Sequence, residues 1–191
     1  MLIARRAASY AALSTVLAVL ATALVAAMPG AQAWADKPGG VSALAPEPTT
    51  EGEEGPVTMA KLVRGRAIAP RNAPPAVKRV VAFANRIRNR PYRWGGGHGR
   101  WWDRGYDCSG AVSYALHGGK LIDSPLPSGA LMQWGKRGLG RWITVFANGG
   151  HTYAVIAGLR WDTSDTGGKG PRWHDDMRSR KGFVARHPEG L

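Results

Sequence analysis

Gly105-Tyr106-Asp107-Cys108-Ser109-Gly110 carries the one cysteine of the 191-residue chain. The stretch reads as the start of a helix running from Ser109 to about His117 and ending at Gly118-Gly119, a C-cap pair. A helix N-terminus concentrates unpaired N–H groups and partial positive charge, which favours thiolate over thiol. Downstream, Gly149-Gly150-His151-Thr152-Tyr153-Ala154-Val155-Ile156 sets a histidine at the mouth of an apolar strand. Cys108 and His151 are far apart in sequence, so any contact between them is tertiary. A lone cysteine cannot form an internal disulfide; it reacts, is buried, or pairs with another chain. Asp107, Ser109 and the surrounding glycines favour a reactive thiol with His151 as its base.

Around this box the periodicity predicts an α+β domain. Pro74-Pro75 introduces Val77, Val80, Val81, Ala84 and Ile87, one apolar helical face that stops before Pro91. Pro91-Tyr92-Arg93-Trp94-Gly95-Gly96-Gly97-His98 then reads as a rigid aromatic turn entering a flexible loop. Beyond the nucleophile helix, Trp142 to Phe146, Tyr153 to Leu159 and Gly182 to Arg186 read as strands. Helices first and a small antiparallel sheet afterwards place the site between the two layers.

The N-terminus predicts export. Arg5-Arg6, an apolar run over residues 7–27, Pro29-Gly30 and Ala31-Gln32-Ala33 make residues 1–33 a signal peptide for the general secretory route. A retained membrane anchor is the other reading of that run, and only then would the protein engage a membrane. Residues 34–75 hold seven prolines and the acidic cluster Glu51, Glu53 and Glu54, the composition of a linker. Residues 76–191 are the folded domain. The net charge is +13, and the acidic residues of the linker balance its basic ones, so the domain carries the excess. The basic residues are scattered without a run, and an exported chain does not meet nucleic acid; anionic wall polymers are the partner that suits this charge.

Pro91-Tyr92-x-Trp94-Gly95-Gly96, Asp107-Cys108-Ser109-Gly110 and Gly150-His151 entering an apolar strand together resemble the NlpC family of bacterial cell-wall cysteine peptidases. The resemblance covers about residues 76–191 and implies a papain-like fold that cuts the stem peptides of peptidoglycan. It matches Cys108 to the nucleophile, His151 to the base and Tyr92 to a site-lining tyrosine that also helps hold the oxyanion. Asp107 and Ser109 match positions that contact the substrate amine in members recognising a free stem-peptide N-terminus. The family sets a third polar residue, often a histidine, on the strand after the base. Residues 157–163 contain no histidine, and Asp162 is the substitute, since a carboxylate accepts from imidazole N–H. The usual His-Val-Gly-Ile-Tyr is altered here to His151-Thr152-Tyr153-Ala154-Val155.

The resulting expectation is a secreted cysteine endopeptidase that needs no cofactor or metal. A catalytically silent wall-binding domain and an amidase or acyltransferase are the rival readings. Cys108, His98 and His151 lack the close paired spacing of a zinc motif, and His98 reads as solvent- or substrate-facing. Trp142 and Trp161 read as core; Trp94, Trp101, Trp102 and Trp134 lie in loop-like sequence suited to lining a groove. Residues 165–170 form a Gly-rich loop with the length of a lid.

Overall fold

The first helix forms where proline sets its start. A computed structural model describes Pro56 and residues 58–191, and in it α1 (Pro75–Ile87) takes Pro75 in its first turn, where the missing N–H costs nothing. Val77, Val80, Val81, Ala84 and Ile87 are buried along one face, as the spacing predicts. Asn85 is buried with them because both ends of its amide are hydrogen-bonded. It accepts from Ala67 N–H (3.1 Å) and Trp173 Nε1 (3.0 Å) and donates to Ala67 O (2.8 Å).

Ala67 belongs to a hairpin that the linker boundary at residue 75 leaves out. β1 (Lys61–Val63) and β2 (Arg66–Ile68) pair antiparallel across Arg64-Gly65, and Ala60, Ala67 and Ala73 join the core. Residues 58–74 therefore belong to the fold: small alanines and a buried asparagine anchor them, which a proline count does not register. The signal-peptide reading and the rest of the linker lie outside the described residues. Among the described residues no helix is long and apolar enough to cross a membrane.

α2 (Cys108–Gly118) packs against α1 and ends at Gly119, whose N–H bonds Leu116 O at 3.0 Å. A Cβ on Gly118 would stand 2.1 Å from Phe83 Cγ, so the close approach of the two helices requires glycine there. Every residue of α2 except His117 is buried, which explains why the helix has no amphipathic stripe.

After the short α3 (Ser128–Leu131) come β3 (Lys136–Arg137), β4 (Ile143–Ala147), β5 (Thr152–Ile156), β6 (Leu159–Asp162), β7 (Arg172–His174) and β8 (Val184–His187). They form one antiparallel sheet in the order β3-β8-β4-β5-β6-β7. The apolar run 153–159 is two strands, not one, because Ala157 and Gly158 take positive φ and fold β6 back on β5. Trp161 and Trp173 oppose each other on β6 and β7, rings 4.9 Å apart and buried, so residues 163–171 are a hairpin connection between core strands. α2 covers one face of the sheet, with Trp161 Nε1 donating to Ala111 O at 3.1 Å. Tyr153 also packs edge-to-face on Phe183 at 5.2 Å, a residue of the connection into β8. The architecture is α+β, helices on an antiparallel sheet.

Candidate active site

Asp107 explains why a helix begins at Cys108. Its backbone is extended, and its Oδ1 accepts from Gly110 N–H at 2.7 Å, an N-cap that fixes the first turn. Its Oδ2 accepts from Gly95 N–H at 3.0 Å, and Asp107 N–H donates to Gly96 O at 3.2 Å. A Cβ on Gly110 would fall 2.0 Å from Gly96 O, so the glycine loop lies flush on the helix start. The loop that reads as flexible is pinned, with Gly97 N–H on Asp103 Oδ2 at 3.1 Å. The aspartate is nearly buried and its oxygens are committed. His98 Nε2 lies 3.0 Å from Oδ1, and Ser109 Oγ donates to the same oxygen at 3.2 Å.

His151 reaches the thiol from the sheet. It precedes β5, held by Asn148 Oδ1, which accepts its N–H at 2.8 Å. Its Nε2 is 2.8 Å from Asp162 Oδ1 at the end of β6, which leaves Nδ1 as the nitrogen available to Cys108, whose thiol the ring influences. The tight Ala157-Gly158 turn brings Asp162 beside His151 although eleven positions separate them in sequence. The structure thus brings Cys108, His151 and Asp162 into one chain of contacts.

Asp162 is a fully buried carboxylate with five donors. Oδ1 also accepts from the N–H groups of Thr163 (2.7 Å) and Ser164 (3.0 Å). Oδ2 accepts from Arg160 Nη1 (2.9 Å) and Arg178 Nη1 (3.1 Å). Arg160 is buried as well, and it further binds Asp165 and Asp176. No motif at short spacing marks these arginines: Arg160 alternates with Trp161 along β6, and Arg178 lies in an irregular stretch. Arg160 is enclosed in the buried strand β6, where a charged residue requires partners.

These contacts set the charges. Burial pushes the Cys108 thiol up, but hydrogen bonds from His151 and the Thr152 N–H bring it below its ordinary value. Burial disfavours the imidazolium too, yet Asp162 and Cys108 together carry His151 up to about 9. Asp162 would be raised by burial; His151 and the Ser164 N–H instead hold it well below the usual carboxylate range. The two shifts run in opposite directions and move the pair towards thiolate and imidazolium. Tyr92, at the rim, keeps its proton: burial and the negative charge of Cys108 and Asp107 all push its phenol up.

The thiol opens into a cleft of about 290 Å³ lined by Trp94, His98, Ser109, Ser128 and Gly149-Gly150 among others. Ser128 Oγ is 4.0 Å from the sulfur, and the Trp94 indole is 84% exposed on the rim. A larger groove of about 500 Å³ lies by Met59, Ile68 and Arg71 on the N-terminal hairpin, and none of the candidate residues lines it. Trp142 is core, as read from sequence, while Trp101 stacks on His117 at 3.9 Å. Among the described residues no group of three or more His, Cys, Asp or Glu could hold a metal ion.

No protein-family model and no curated protein matches the chain. Among solved structures it is similar to the peptidoglycan hydrolase RipB of Mycobacterium tuberculosis. That match has 26% identity, covers 61% of this chain and 67% of that one, and has a TM-score of 0.47. Two mutated forms of the resuscitation promoting factor interacting protein RipA are also similar. One is 23% identical over 68% of this chain and 71% of its own, TM-score 0.46; the other is 22% identical over 69% and 71%, TM-score 0.47.

Proposed function

We propose that the protein is a secreted peptidoglycan hydrolase, a cysteine endopeptidase of NlpC type with a papain-like fold. The observation that carries this reading is the contact chain of a helix-start thiol, an imidazole and a buried carboxylate at 2.8 Å. A thiolate beside an imidazolium is a nucleophile and a proton donor already separated, which is what acyl transfer from an amide requires. The stem-peptide substrate follows from the motifs around Tyr92, Cys108 and His151, and the basic domain suits an anionic wall.

In the proposed reaction the Cys108 sulfur attacks the amide carbonyl and its electron pair moves onto oxygen. The Cys108 backbone N–H, placed at the helix start where an N–H has no partner within the helix, and the protonated Tyr92 hydroxyl hold that oxyanion. Collapse breaks the C–N bond as His151 gives its proton to the leaving amine. Water, losing a proton to His151, then cleaves the thioester and restores the thiolate–imidazolium pair. Asp162 keeps the ring oriented and offsets its charge throughout. Asp107 and Ser109 hold the floor of the cleft; with its oxygens already bonded, Asp107 meets a substrate amine only by giving up a donor.

Residues 34–191, wild type beside Cys108→Ala, are to be incubated with purified muropeptides and the products read by mass spectrometry. Wild-type cleavage inside the stem peptide, absent in Cys108→Ala, is the expected result. A released whole stem would mean an amidase. Wall binding without cleavage by either protein would leave a binding domain.

A further inference from the structure

Asp162 receives a second guanidinium that the proposed chemistry does not use. Arg178 lies between β7 and β8, and its side chain is 30% exposed. One of its nitrogens, Nη1, is 3.1 Å from Asp162 Oδ2 and 2.5 Å from Ser164 Oγ. Its guanidinium also lies over the rings of Tyr153 and Phe183, which border His151. Ser164 Oγ is itself 3.4 Å from His151 Nε2, so it competes with Asp162 for the imidazole N–H.

We propose that Arg178 is a positioning residue for the thiol–imidazole pair: by binding Asp162 Oδ2 and Ser164 Oγ together, it turns Asp162 Oδ1 onto His151 Nε2. The proposal rests on the Cys108–His151–Asp162 reading above. Arg160 is a different case. It is fully buried and shared among Asp162, Asp165 and Asp176, so its bonds neutralise a guanidinium that the sheet encloses. Arg178 reaches the same carboxylate from solvent and is the adjustable contact.

Two effects of opposite sign separate positioning from mere charge. The groups around the ring are Cys108 on α2, Asp162 and Arg160 on β6, Tyr153 on β5 and Arg178 from the β7–β8 connection. Asp165, Asp176 and His174 stand behind Arg160. A nearby cation disfavours imidazolium, so losing Arg178 as a charge alone would raise the pH at which His151 gives up its proton. Losing it as a positioner weakens the Asp162 bond that retains the proton, and lowers that pH.

The test is the rate of iodoacetamide alkylation against pH, which reads Cys108 alone because the chain has no other thiol. The rate steps up as the thiol ionises and again as the imidazolium deprotonates. Wild type should show the second step near 9. Arg178→Gln should bring it down by about one pH unit, a tenfold weaker hold on the proton, and Arg178→Lys should restore most of it. Arg178→Met, which drops both polar contacts but keeps an apolar stem against Tyr153 and Phe183, should move it the same way by as much, and it decides the matter if Arg178→Gln does not fold. An unchanged or raised second step overturns the proposal. No wall substrate enters this measurement, so a protein that titrates as expected but cuts nothing would fail the peptidase reading and leave the positioning role intact.

Discussion

Two histidine–carboxylate pairs flank Cys108, and they differ in what the carboxylate is for. On the helix side, His98 stands 3.0 Å from Asp107, whose oxygens also take the N–H groups of Gly95 and Gly110. On the sheet side, His151 stands 2.8 Å from Asp162, whose other oxygen takes two arginines. Asp107 builds the helix start and holds His98 as one more donor. Asp162 has one oxygen bound by the two arginines, and it turns the other, fixed by the Thr163 and Ser164 N–H groups, to the imidazole. In the proposed reaction the same pair of residue types serves architecture on one side and proton transfer on the other, and the partners of the carboxylate differ accordingly.

Substitution is the strongest way to break that comparison. Asp162→Ala should lower kcat/KM on a muropeptide by about 10²- to 10³-fold, because the imidazole loses both orientation and counter-charge. His98→Ala should cost less than about tenfold, so equal losses would erase the distinction. Stability sharpens it next. Arg160→Met leaves the buried Asp162 carboxylate with one guanidinium fewer, and should cost about 3–5 kcal/mol by urea denaturation. Asp107→Ala removes an N-cap and should cost about 1–2 kcal/mol, with the helix start rather than the imidazole affected. The smallest effect is on the pH dependence of folding. His151 is raised from 6.5 to about 9, so its contribution is complete below 6.5 and is lost as pH rises towards 9. Cys108, lowered in the same pair, gains over that window what His151 loses, so wild-type stability should stay nearly level, and Cys108→Ala, which leaves Asp162 on the imidazole, should show the decline.

Sequence made the helix side legible and left most of the sheet side hidden. Pro75, the apolar spacing of α1 and the Asp107–Gly110 box are local signals, each read within a few residues of its partner. The position of Asp162 depends on a turn: residues 153–159 read as one strand until Ala157-Gly158 is recognised as the point where the chain reverses. Arg160 and Arg178 are invisible for a related reason, since their partners come from separate loops. The hairpin at 61–68 was masked by prolines, and what holds it is Asn85 on α1, 18 positions from its partner Ala67.

The most direct test is the ultraviolet absorbance of the thiolate followed from acid to alkaline pH, wild type minus Cys108→Ala. The thiolate should form below the ordinary thiol value, with His151→Ala moving the transition up because burial then acts with less opposition. A wild-type transition at or above the ordinary value, unchanged in His151→Ala, would contradict an active thiolate–imidazolium pair.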